Sequence, residues 1–135
     1  MSIRLDHVIV PSRDRKASAE LLACILGVPW SAETSGGPFS PVYVNDELTL
    51  DVGEIDGKFS VQHYCFRVSE TDFDAILARL QDKGIAYRST PMGPMDMEIN
   101  TRSGGRNVYW SEPDGHAWEI LTVSYARQPQ AEKRT

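Results

Sequence analysis

His63-Tyr64-Cys65-Phe66-Arg67-Val68 alternates in the manner of a β-strand, and the chain offers a counterpart in Leu5-Asp6-His7-Val8-Ile9-Val10; from His7 to His63 is 56 residues. Alternation at a period of two, rich in β-branched and aromatic residues, is the pattern of a strand with one buried face. Each stretch leads into a helical pattern. The first runs from about Asp14 to Leu26, and the second is expected to be capped by Thr71 and to reach Lys83. Phe73, Ile76, Leu77 and Leu80 fall at i, i+3, i+4 and i+7, one apolar face. Gly27 and Gly84, 57 residues apart, close the two helices in the way glycine ends a helix with a left-handed residue.

The segments beyond the two helices also correspond. Pro41–Asn45 and Glu47–Val52 read as two strands joined at Asn45-Asp46, and Arg106–Ser111 and His116–Val123 as two strands joined through Glu112-Pro113-Asp114-Gly115. The initial strand, residues 3–10, is expected to close at Pro11, and its partner spans Val61–Val68. The chain is thus an internal duplication of a strand–helix–strands unit, with module one about 1–57, module two about 58–127, and a polar tail at 128–135. Two Gly/Pro-rich segments, Ser35–Pro41 and Ser89–Arg106, interrupt the pattern and are candidates for functional loops.

The 135 residues suit a single domain that needs no disulfide or metal staple. Net charge is −5 with no basic stripe, which argues against nucleic acid and anionic membranes as partners and leaves a small molecule. No apolar run is long enough to span a bilayer and no leader is evident, so a cytoplasmic location is expected. Cys24 and Cys65 stand in apolar contexts and read as core thiols.

There are only three histidines. His7 shares a strand face with Leu5 and Ile9, His63 with Val61 and Cys65, and Glu119 with Ala117 and Leu121. A carboxylate among apolar neighbours is costly to bury unless it is paired or bound to metal. Two imidazoles and one carboxylate, brought together by the repeat, form a facial triad that leaves coordination positions open. A lone mid-strand histidine is more often a hydrogen-bonded core residue. Asp51, near the end of the first half as Glu119 is near the end of the second, is a possible fourth ligand; otherwise it is a strand-end carboxylate facing solvent. His116, in its Asp-Gly-His turn, is expected to face solvent.

The paired halves, the two histidine strands and Glu112-Pro113-Asp114-Gly115-His116-Ala117-Trp118-Glu119-Ile120-Leu121 resemble the vicinal oxygen chelate superfamily, over roughly residues 3–125. That superfamily includes glyoxalase I, fosfomycin-resistance transferases, bleomycin-binding proteins and extradiol dioxygenases. The resemblance implies an α+β fold in which two βαβββ modules form a cup-shaped mixed sheet around a divalent metal. It implies His7, His63 and Glu119 as ligands, and a module-exchanged homodimer in which the metal site is shared between subunits.

Among the activities of the superfamily, the fosfomycin transferases carry a threonine where Ile9 stands, and the bleomycin-binding members lack the triad. The run Asn100-Thr101-Arg102-Ser103-Gly104-Gly105-Arg106-Asn107-Val108-Tyr109 and the stretch from Gly36-Gly37-Pro38-Phe39 to Asp51 resemble the dioxygenase-like members. The expectation is an Fe(II)-type oxygenase of a small aromatic diol or phenol, with Mn, Ni, Co or Zn as other metals the ligands accept. Tyr109 is then the catalytic hydroxyl, and Asn100, Arg106 and Phe39 contact substrate, with Arg102 as a second candidate for an anionic group. Trp110 and Trp118 alternate with Tyr109 and Glu119 and serve the core. Met92, Met95 and Met97 form an adaptable apolar wall or simply cover the sheet edge. A metal-dependent lyase, isomerase or thiol transferase and a metal-free drug- or metabolite-binding protein are the alternatives.

Overall fold

In a computed structural model of the chain, residues 2–34 and 37–127 are described. They divide into two compact units, one ending at Ser60 and the other starting at Val61. Ser35 and Gly36 of the first loop, and the polar tail at 128–135, lie outside the described residues.

In the first unit, β1 (His7–Ser12) leads to α1 (Arg15–Leu26), then β2 (Phe39–Tyr43) and β3 (Thr49–Glu54). The sheet order is β1-β3-β2, with β1 parallel and β2 antiparallel to β3. β1 does not stop at Pro11 but continues to Ser12. It is an edge strand, where the missing proline N–H costs no ladder bond. Asp14 caps α1 by accepting from the Ala17 N–H, and Gly27 closes it at φ 75°. Val10, Val42, Leu50 and Val52 turn their side chains to the α1 side and are buried with Leu22 and Ile25. Cys24 lies on the other flank of α1, exposed rather than in the core.

The second unit runs β4 (His63–Arg67), α2 (Glu70–Asp82), β5 (Tyr87–Arg88), β6 (Asn107–Ser111) and β7 (Ala117–Leu121), in the sheet order β4-β7-β6-β5. The duplication extends to register. Ile9 pairs with Asp51 as Cys65 pairs with Glu119, and Asp51 pairs with Pro41 as Glu119 pairs with Tyr109. Even the short fourth strand has its trace, since Trp30 bridges Val42 where Tyr87 pairs with Trp110. Each unit is therefore a βαβββ-like module in an α+β chain, with the first of its late strands reduced to a bridge or to two residues.

The cap of α2 differs from expectation. Ser69, not Thr71, accepts from the Asp72 N–H, and Glu70 and Asp72 occupy the first turn. A serine two residues earlier places those acids against the positive end of the helix dipole, which favours it over Thr71 as the cap. Phe73, Ile76 and Leu80 are buried on the apolar face of α2. On the sheet face shared by even-numbered residues, the Trp118 ring stacks on Tyr64 at 4.6 Å and on Phe66 at 6.0 Å, and Trp110 is fully buried. Both tryptophans thus serve the core.

Candidate functional site

The odd-numbered face of the second sheet carries the chemistry. β7 sits between β4 and β6, so Glu119 has Cys65 on one side and Tyr109 on the other. Its carboxylate is fully buried. Oε1 accepts from the Tyr125 hydroxyl at 2.7 Å and stands 3.1 Å from His63 Nε2; Oε2 accepts from Asn107 Nδ2 at 3.0 Å. The same Asn107 amide reaches the Tyr109 hydroxyl at 3.3 Å. These donors offset the desolvation that makes a buried carboxylate expensive.

His63 is oriented from behind. Its Nδ1 lies 3.0 Å from the Ala117 carbonyl oxygen, which can only accept, so Nδ1 carries a proton. In the neutral ring, Nε2 then presents a lone pair towards a carboxylate oxygen. Two acceptors at 3.1 Å are stable only with a proton or a cation between them. A backbone acceptor behind one ring nitrogen is also how metal-binding histidines are held in the right tautomer. The donor chemistry of this pair therefore fits a divalent cation.

Around the pair, burial holds the Tyr109 hydroxyl above its usual range, and the Glu119 charge adds to this. The Tyr125 hydroxyl is raised further by desolvation and by its bond to Glu119. Cys65, exposed as a residue but with a crowded thiol, is pushed up to about 12 by desolvation first and then by Glu119. It is a protonated thiol at neutral pH, on the Glu119 side of the sheet rather than in the core. A cavity of about 370 Å³ opens beside these groups, bounded by His63, Cys65, Arg67, Leu121, Tyr125 and Arg127.

The first unit presents the matching face. His7 is exposed, with Nδ1 2.8 Å from Asp6 Oδ2, and this pairing, with lesser help from Asp51, raises the imidazole above its ordinary value. Asp51 follows on the same side of the sheet, and Phe39 lies opposite Gly53. A Cβ on Gly53 would come within 3.0 Å of the Phe39 ring. Among the described residues, no three His, Cys, Asp or Glu side chains gather closely enough in one chain to hold a metal.

The structure thus joins His63, Glu119 and Tyr109 and does not add Arg106 or Asn100 to them. Arg106 reaches Glu70 and Asp74 of α2, each at 2.8 Å, and its guanidinium lies 4.2 Å from the Phe73 ring centre, on the opposite side of the sheet. Asn100 donates to the Ser89 carbonyl and accepts from the Arg102 N–H, a loop-building role. Met92 is almost wholly exposed, while Met97 Sδ accepts from the Tyr87 N–H at 3.4 Å.

His116 corrects the sequence reading. It is fully buried, its Nδ1 accepts from the Gln62 N–H at 2.9 Å, and its ring meets Tyr64 and Trp118 edge-on. The turn that looked solvent-facing folds its last residue beneath β4. Two members of the Glu119 cluster escaped sequence reading. Asn107 was marked by sharing the face of Tyr109, two residues on. Tyr125 lies beyond the last strand, where no periodicity tells which way a side chain turns.

No protein-family model matches the chain. Among solved structures, the oxidase ChaP-H2 superposes with a TM-score of 0.85 at 43% identity, over 93% of this chain and 97% of that one. The oxidase ChaP-H1 superposes with a TM-score of 0.83 at 44% identity, over 92% and 98%. Among curated proteins, the glutathione transferase FosA of Serratia marcescens is 27% identical over 128 residues, 90% of this chain and 82% of that protein. With duplicated modules in a shared register and relatives above two-fifths identity along nearly its whole length, the chain belongs to the vicinal oxygen chelate superfamily.

Proposed function

We propose that the chain is a divalent-metal-dependent oxygenase, using Fe(II), that acts on a small aromatic diol or phenol. The observation that carries this reading is the buried Glu119 carboxylate facing the lone-pair side of a His63 ring fixed by Ala117. The likeness to two oxidases of similar length supports oxidation over lyase chemistry. His63 and Glu119 hold the metal from the second module, and His7 completes the triad from a second copy of the chain. Asp51, at the register of Glu119 in the first module, is the candidate for a fourth ligand.

The bound metal supplies a template for two neighbouring substrate oxygens and a redox partner for dioxygen. The chain's own groups do the rest. Asn107 and Tyr125 hold the carboxylate oxygens in place, which preorganises the ligand set. The Tyr109 hydroxyl, a donor at neutral pH, hydrogen-bonds a substrate oxygen. Leu121 gives the cavity an apolar wall that excludes water from an aromatic ring.

The test is anaerobic loading with Fe(II), followed by oxygen and a panel of aromatic diols, with oxygen uptake and product mass as readouts. The expected result is uptake with at least one diol, lost in His63→Ala. Isomerisation of a thiol hemiacetal, with no uptake for any diol, would overturn the reading in favour of the lyase class.

A further inference from the structure

Arg67 and Arg127 both line the cavity next to His63. Among the described residues the other arginines find partners. Arg15 meets Glu33, Ala32 and Ser40; Arg13 meets carbonyls of residues 55–57; Arg88 meets Thr90 and Pro91; Arg106 meets Glu70 and Asp74. The Arg67 and Arg127 side chains form no ion pair or hydrogen bond with the described residues, although the chain carries five more acidic than basic side chains. Arg67 reaches the cavity because it shares the odd-numbered strand face with His63 and Cys65; Arg127 reaches it because the chain turns back after β7.

We infer that the substrate carries an anionic group, a carboxylate or an acidic enol, held between Arg67 and Arg127 while its paired oxygens lie at the His63 end of the cavity. This rests on the proposed reading of His63 and Glu119 as the reacting end. Guanidinium forks match carboxylates in shape and charge, and two of them around one cavity define a binding end rather than a diffuse field. Four residues of strand at about 3.3 Å each put the His63 and Arg67 Cα atoms about 13 Å apart. That spacing fits an extended aromatic acid, with the ring oxygens at one end and the charge at the other. Leu121 pairs with Arg67 across the ladder and gives that end of the cavity an apolar flank beside the charge.

Caffeate and its methyl ester share one catechol and one length and differ in the charge at the far end. Their binding is measured by titration calorimetry on the full chain, both metal-free and loaded with zinc(II), which does not oxidise a catechol. Caffeate is expected to bind about tenfold more tightly than the ester. Arg67→Gln and Arg127→Gln should each narrow the gap, and the double variant should close it without changing the ester's affinity. Circular dichroism checks that these exposed substitutions leave the fold intact. Equal affinities in the wild type, no measurable caffeate binding, or a preference that survives the double variant would overturn the inference. Oxygen uptake on a diol without any preference for the acid sinks the inference alone, and a preference for the acid in a chain that never takes up oxygen sinks the oxygenase reading alone.

Discussion

Glu119 is where burial and charge meet. Glu119→Ala leaves the Asn107 amide and the Tyr125 hydroxyl without their acceptor, so it should cost about 2–4 kcal/mol in urea unfolding. His63→Ala removes a half-exposed ring with one backbone partner and should cost under about 1 kcal/mol. Both should abolish metal uptake, read by elemental analysis. A loss of metal tied to a loss of fold in His63→Ala would mean that the histidine is structural. At this scale the sequence disclosed His63 and Glu119 from their apolar strand neighbours and Tyr109 from the family resemblance, and the register of β4, β7 and β6 then puts them on one side of a sheet. It did not disclose Tyr125 or the burial of His116, since both follow from how a turn closes. It also misjudged the two cysteines, because apolar neighbours in sequence say little about which flank of a helix or face of a sheet a side chain occupies.

Among the secondary elements, both helices and the paired strands were legible from periodicity, and their ends were less so. The Ser69 cap shows why: the winning residue is the one that also positions acids in the first turn, and several hydroxyls compete for that place. Ser69→Ala should destabilise the chain by about 1 kcal/mol, with Thr71→Ala close to neutral, in the same unfolding assay. The β6–β7 turn permits a pH test. Burial raises the Glu112 carboxyl above its ordinary value, although the His116 N–H donates to its Oε1. The folded chain therefore takes up this proton before the unfolded chain does, and this group adds stability as pH falls from neutral through the raised folded value. Glu112→Gln keeps the acceptor and removes the half-buried charge. It should leave Tm at pH 7 unchanged or higher and remove the part of the pH dependence due to this group. A lower Tm at pH 7 would show that the charge is stabilising.

At the scale of the whole molecule, the repeat was readable from two histidines and two glycines, while a second copy is implied by the family resemblance alone. No described helix is long and apolar enough to cross a membrane. If His7 joins His63 and Glu119 from a second copy, His7→Ala and His63→Ala proteins should each lack metal alone. Refolded together, they should recover about a quarter of the wild-type content, because half of the dimers are mixed and each mixed dimer holds one intact site. No recovery would place all three ligands in one chain. The matching register of Asp51 and Glu119 has a longer reach. Backbone pairing, not the side chains it displays, keeps the two ladders in step. One half can therefore exchange its displayed residues over generations without disturbing those of the other. A chain built this way holds a spare template, on which a new chemistry can be drafted while the old one continues to work.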